Sequence, residues 1–189
     1  MSKKNLISYA VIALIFGGAG VYIAKQKNNP APVVATAPAS APAASAVAAS
    51  DPVQSLYDQQ LKDLSGQTQA LSQWKGKALI VNFWAPWCGP CVREMPELSA
   101  LQKEVAGKNI QVLGLGIDSP ENIAEFAKKV QIAYPVYVAG MGGTELSRLF
   151  GDKEGSLPYT VLIGVDGQIK KTYLGALKFD QLRADLASL

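Results

Sequence analysis

Trp87-Cys88-Gly89-Pro90-Cys91 carries both cysteines of this 189-residue chain, two residues apart and directly behind the apolar run Ala78 to Trp84, which reads as a buried strand. The chemistry this spacing serves is thiol–disulfide exchange. Two intervening residues let the sulfurs join across the first turn of a helix, where unpaired backbone N–H groups and the positive end of the helix dipole stabilise a thiolate. Cys88 is therefore the expected nucleophile. Cys91, one turn further in, is the expected resolving thiol that attacks a mixed disulfide and frees the substrate.

Two other readings compete for the same residues. A static disulfide across so short a loop constrains the unfolded chain little and makes a poor staple. A zinc site calls for four nitrogen or sulfur ligands, and the chain has no third cysteine and no histidine. A redox dithiol needs no bound cofactor and no metal, because the sulfurs themselves carry two electrons.

The residues around the motif resemble a known family. Val81-Asn82-Phe83-Trp84-Ala85-Pro86 leading into the motif, with Glu94-Met95-Pro96 behind it, is similar to the thioredoxin superfamily. The match is to its TlpA/ResA/DsbE-like branch of membrane-anchored thiol-disulfide oxidoreductases, and it extends over about residues 60–189. It implies an α/β thioredoxin-like fold, a four- or five-stranded central mixed sheet flanked by helices. It also implies a place on the outer face of a bacterial cytoplasmic membrane, often in the reduction of apocytochrome c cysteines.

The elements that must hold the dithiol are legible as patterns. Leu61 to Leu71 reads as a hairpin around Ser65-Gly66, and Gly76-Lys77 turns into the strand Ala78 to Trp84. A helix opens at Cys88 with Val92, Met95, Leu98, Leu101 and Val105 at helical spacing; Pro96 is expected to kink it, since proline removes a backbone donor. The strand Ile110 to Ile117 leads to a helix capped by Asp118 or Ser119, with Pro120 in its first turn and Ile123, Phe126, Ala127 and Val130 on one face. Then come a strand over Pro135–Val138, a short helix from about Thr144 to Phe150, and strands Tyr159–Ile163 and Gln168–Leu174 around the turn Asp166-Gly167. A last helix buries Phe179, Leu182, Leu186 and Leu189. The order is β-α-β-α-β-α-β-β-α. The stretch from Ser119 to Phe150 contains a helix and a strand more than plain thioredoxin, as the resemblance implies.

Further site residues follow from the resemblance. Pro158, in Ser156-Leu157-Pro158-Tyr159-Thr160, stands where the family places a cis-proline facing the dithiol, against the ordinary alternative of a trans turn proline. Leu157 would then present its backbone to an extended substrate. Thioredoxin carries an aspartate in the preceding strand that helps deprotonate the buried cysteine; the matching residue here is Asn82, which accepts no proton. Glu94, three residues past Cys91, is the expected base for Cys91, directly or through a water, rather than a solvated surface residue. Trp84 is expected to pack beneath the motif and Trp87 to stay partly exposed against the substrate. Gly89-Pro90 matches reducing thioredoxins, whereas oxidants of this fold usually place a histidine there.

The rest of the chain bounds location and partners. Leu6 to Ala24 is nineteen residues without a charge, flanked by Lys3, Lys4, Lys25 and Lys27; at 1.5 Å per residue it spans about 29 Å, close to the hydrocarbon thickness of a bilayer. The expectation is an uncleaved N-terminal anchor over residues 1–27, with a cleaved signal peptide as the alternative. Residues 28–54, rich in Ala, Pro, Ser and Val, read as a spacer that reaches roughly 70 Å if extended, and residues 55–189 as the thioredoxin-like domain. The lysines vote only weakly for an outward-facing C-terminus. The formal charge of +3 becomes −1 from Asp51 onward once the four lysines beside the anchor are set aside, and no basic patch suggests nucleic acid.

The expected function is a tethered periplasmic reductant of disulfides in exported proteins, recharged by a transmembrane electron donor. The alternatives are a disulfide-forming oxidant or isomerase on the same scaffold, or a binding or chaperone module in which the dithiol is incidental.

Overall fold

The computed structural model describes residues 51–189. The expected anchor over residues 6–24 and most of the spacer lie outside the described residues. Among the described residues no helix is long and apolar enough to cross a membrane.

The first element was not expected. Asp51 accepts a hydrogen bond from Val53 N at 3.0 Å and Pro52 occupies the first turn, so a short helix, α1, runs over Pro52–Tyr57. Asp51 is thus a side-chain cap, and Pro52 gives up an N–H that would have no partner anyway. Val53, Leu56 and Tyr57, spaced three and four apart, are buried. Residues 52–54, read above as the end of the spacer, form the first half of this helix.

The expected hairpin forms as β1, Gln60–Asp63, and β2, Thr68–Ala70, in antiparallel register. The Asp63 carboxylate closes the turn by accepting from Ser65 N and Gln67 N. A 3-10 turn over Leu71–Trp74 leads to β3, Ala78–Trp84, buried along its whole length. Then follow α2, Gly89–Glu104; β4, Ile110–Gly116; α3, Pro120–Lys129; β5, Val136–Val138; and α4, Gly140–Leu149. The chain ends with β6, Tyr159–Ile163; β7, Ile169–Leu174; and α5, Phe179–Ala187. The helix α2 continues past Pro96 without a break in its assignment.

The strands form one mixed sheet in the order β2-β1-β5-β4-β3-β6-β7. β3 is parallel to β4 and antiparallel to β6, and β4 is parallel to β5. The sheet has seven strands rather than four or five because the hairpin is not separate: β1 pairs antiparallel with β5, which extends the sheet by two strands.

Two layers of apolar packing cover the sheet. Alternate residues of β3 divide between them: Ile80 and Trp84 join Met95, Leu98 and Ile123 on one face, while Leu79, Val81 and Phe83 join Leu56, Phe150 and Val161 on the other. Period-two alternation therefore sends Asn82 to the face shared by Ile80, Trp84 and α2.

Three expectations are corrected. α4 starts at Gly140, not near Thr144, because Gly142-Gly143 belongs to the helix. A Cβ on Gly143 would stand 2.8 Å from Ala139 Cβ and 2.9 Å from Ile117 Cγ1, so the missing side chain is what lets α4 close on the end of β4. Ile117 falls one residue beyond β4. Leu189 lies past the end of α5 and is 47% exposed, whereas Phe179, Leu182 and Leu186 are buried as expected.

Candidate active site

The dithiol sits where β3 ends and α2 begins. Cys88 is the N-cap of α2 with extended backbone, φ −86° and ψ 99°, and its Sγ accepts from Cys91 N at 3.3 Å. The sulfur thus occupies the place that a serine or aspartate oxygen takes at most helix starts. Cys88 N donates to Ala85 O, and Cys88 O accepts from Val92 N, so both sides of the residue are fixed by backbone bonds. Cys88 and Cys91 are joined as a disulfide with their Cα atoms 5.3 Å apart. Cys91 is fully buried and Cys88 is 5% exposed. Beside them Trp87 stands out from the surface, 69% exposed, and Pro90 is half-buried. Trp84 is fully buried in the same apolar cluster as both cysteines, its ring tilted against Phe126 with centroids 5.5 Å apart.

The loop before β6 brings Leu157 against the apolar cluster that contains both cysteines. The Leu157–Pro158 peptide is cis; Pro158 is buried and Leu157 half-buried. Leu157 precedes the first ladder pairs of β6, which begin at Tyr159 against Phe83 and Leu174, so neither sheet ladder takes up its backbone groups. The loop is held from below. Buried Asp152 accepts from Ser156 N at 3.0 Å and from Ser147 Oγ at 3.0 Å, and Tyr159 Oη donates to Phe150 O at 2.9 Å.

Behind the dithiol lies a buried carboxyl. Glu94, one turn beyond Cys91 on α2, is 5% exposed, not a solvated surface residue. Its Oε1 accepts from Asn82 Nδ2 at 2.9 Å and its Oε2 from Leu177 N at 3.1 Å. Asn82 Nδ2 also donates to Thr160 Oγ1, its cross-strand neighbour on β6, at 3.0 Å. Burial pushes the Glu94 carboxyl above its ordinary range, and the two hydrogen bonds offset part of that rise. Tyr134 Oη and Trp84 Nε1 are also buried, without a hydrogen-bond partner among the described residues. Burial, and then the nearby Glu94 charge, raise the Tyr134 phenol. The two rings approach across Gly114, where a Cβ would stand 3.0 Å from Tyr134 and 3.1 Å from Trp84.

The structure therefore places Cys88, Pro90 and Cys91 at the start of α2, with Trp87 before them and Glu94 a turn beyond, and brings Leu157, which precedes the cis-Pro158, to the apolar cluster of the cysteines and to one cleft with Trp87. Sequence reasoning did not supply the partners of Glu94. Asn82 and Thr160 were detectable as polar residues in otherwise apolar strands, whereas the Leu177 amide, 83 residues along the chain, left no local signal. Among the described residues, no cluster of three His, Cys, Asp or Glu side chains is arranged to hold a metal.

A dithiol capping the helix that follows a central strand of a mixed sheet, with a cis-proline just before the antiparallel neighbour of that strand, defines a redox protein of the thioredoxin fold. The Redoxin family profile matches residues 26–186, and the chain belongs to that family. Thiol-disulfide oxidoreductase ResA of Oceanobacillus iheyensis is 34% identical over 134 residues, 68% of this chain and 68% of that protein. Thioredoxin-like protein YneN of Bacillus subtilis is 31% identical over 133 residues, 68% of this chain and 75% of that protein. Among solved structures, the exposed lipoprotein thioredoxin Etrx1 of Streptococcus pneumoniae superposes with a TM-score of 0.60 at 27% identity, covering 70% of this chain and 99% of that one. Fold, dithiol and relatives together make the protein a thiol-disulfide oxidoreductase of the ResA/DsbE-like branch.

Proposed function

We propose that this protein is a membrane-tethered reductant of disulfides in exported proteins, working on the outer side of a bacterial cytoplasmic membrane. The observation that carries thiol–disulfide exchange is the setting of Cys88. Its sulfur faces the start of α2 and already accepts a backbone N–H there, an arrangement that stabilises the thiolate. The Gly89-Pro90 pair adds no imidazole that would stabilise it further and turn the protein into a strong oxidant.

In the reducing direction the Cys88 thiolate attacks one sulfur of the substrate disulfide, forming a mixed disulfide and expelling the other substrate sulfur as a thiolate. The Cys91 thiolate then attacks Cys88 Sγ. The Cys88–Cys91 bond forms, the second substrate thiolate leaves, and two electrons have passed to the substrate. Cys91 must lose a proton in a buried setting, and Glu94 is its base. Asn82 supplies no base itself but holds one Glu94 oxygen in place. During the attack the substrate strand lies against Leu157 and the cis-Pro158, with Trp87 and Pro90 as its contacts. No bound cofactor enters the cycle, and a dithiol donor spanning the membrane returns the oxidised domain to its reduced form. Residues 6–24 supply the anchor and the Ala/Pro-rich spacer the reach. Apocytochrome c cysteines are the substrates that the resemblance to the ResA branch favours.

The test is the reduction potential, measured against dithiothreitol or glutathione and followed by tryptophan fluorescence. A value near about −270 mV or lower supports the reductant; one near about −120 mV makes the protein a disulfide-forming oxidant instead.

A further inference from the structure

An apolar cleft of about 520 Å³ opens beside Trp87, the residue before Cys88, and is lined by Leu157 and by the starts of α3 and α4. Ile117 and Pro120 line one wall, Met141 and Thr144 the other. No element of residues 51–189 covers two of these side chains: Trp87 is 69% exposed and Met141 78% exposed. A tryptophan and a methionine left uncovered over one hollow mark a surface built for a partner, since such side chains gain most from burial.

Charge narrows the occupant. Asp118 is the single charged residue of the lining, and its Oδ1 already accepts from Ser119 N at 2.6 Å and Asn122 Nδ2 at 2.7 Å. Among the described residues, no lysine or arginine lines the cleft to receive an acidic group. The reducing function proposed above makes the partner a polypeptide that carries a disulfide, and Trp87, directly before Cys88, is one of the residues from which the cleft opens.

We propose that the cleft between Trp87, Met141 and Leu157 is a specificity pocket for a large apolar side chain, aromatic or long aliphatic, flanking the reacting cysteine of the substrate polypeptide. The proposal rests on the reducing function above and names the sequence feature that function selects. Every lining residue except Trp87 lies between β4 and β6, so that segment supplies substrate choice while the start of α2 supplies the reactive sulfur.

The test uses three disulfide-linked peptides that differ only in the residue next to the cysteine: Phe, Ser or Glu. Reduced wild-type protein should exchange with the Phe peptide fastest and the Glu peptide slowest, with a spread of about tenfold in kcat/KM carried mainly by KM. Met141→Asp should collapse the Phe-to-Ser ratio towards one. Leu149→Asp, a comparably exposed apolar site on α4 outside the cleft, should leave the ratio as in wild type. Equal rates in wild type, an unchanged ratio in Met141→Asp, or an equal loss in Leu149→Asp each overturn the pocket while leaving the reductase reading standing. Failure of the protein to exchange with any of the peptides overturns that reading, and the pocket with it.

Discussion

The two faces of the central sheet are built to different rules, although the same strands make both. On the face covered by α1 and α4, β3 presents only the apolar Leu79, Val81 and Phe83, and the buried polar groups beside α4, Ser147 and Asp152, bond to each other and to the loop before β6. On the face covered by α2 and α5, the same strand presents Ile80, Asn82 and Trp84, and the layer admits a buried carboxyl, an amide and a hydroxyl. Burying polar groups is unfavourable unless each is hydrogen-bonded. The lesson is that β3 serves cohesion alone on one face, while on the other it gives up part of that cohesion to hold a titratable group one turn behind a buried thiol.

Substitutions can break or sharpen that contrast. Phe83→Ala strikes the cohesive face, where the ring is fully buried with Phe150 and Tyr159 centroids 6.2 and 6.3 Å away. It should lower unfolding free energy by about 3–5 kcal/mol in a denaturant titration of the oxidised protein, while the thiols of the reduced protein titrate as in wild type. A thiol shift as large as the one expected for Asn82→Ala would dissolve the division between the faces.

Asn82→Ala strikes the other face. It leaves Glu94 with only the Leu177 amide and leaves the Thr160 hydroxyl without its donor. The stability loss should be smaller, about 1–3 kcal/mol, yet the Cys91 thiol, beside a carboxyl that is now harder to ionise, should titrate at a lower pH and turnover should fall. Thiolate absorbance measured across pH decides the matter; unaltered titration would detach Asn82 and Glu94 from the chemistry.

The smallest effect is one of pH. The Glu94 carboxyl sits above its ordinary value of 4.5 because burial disfavours its charge. The folded state therefore holds this proton more tightly than the unfolded chain does. Glu94 favours folding most at low pH, and that contribution is lost as pH rises from about 4.5 through the raised value, then levels off. Glu94→Gln removes the titration, so the stability difference between wild type and variant should shift against wild type over that window. Denaturant midpoints taken from pH 4 to pH 8 that run parallel would show that Glu94 ionises as an ordinary carboxylate.

What could be read from the sequence separates along the same physical lines. The dithiol was legible because its chemistry is local: both sulfurs, the cap position and the helix start lie within four residues. β3, β4 and β6 were legible as near-continuous apolar runs because both of their faces are covered, and α3 because packing on one face imposes a helical period on it. Helix α1 was missed although its signals are present, Asp51 as cap, Pro52 behind it and Val53, Leu56 and Tyr57 on one face; six residues following an Ala/Pro-rich stretch make a short pattern. The early start of α4 was missed because Gly142-Gly143 reads as a turn, and only the nearness of Ile117 explains a glycine inside that helix. The attachment of the hairpin to β5 and the Leu177 bond to Glu94 depend on tertiary proximity, which no local pattern encodes.

The seat of Cys88 also bears on how such a protein could change its trade. Because the sulfur fills a position where serine is among the favoured residues, a single replacement can retire the electron transfer while leaving the helix properly begun and the cleft beside it intact. In evolutionary terms the enzyme lies one mutational step from a receptor that holds the same polypeptides and releases them unaltered.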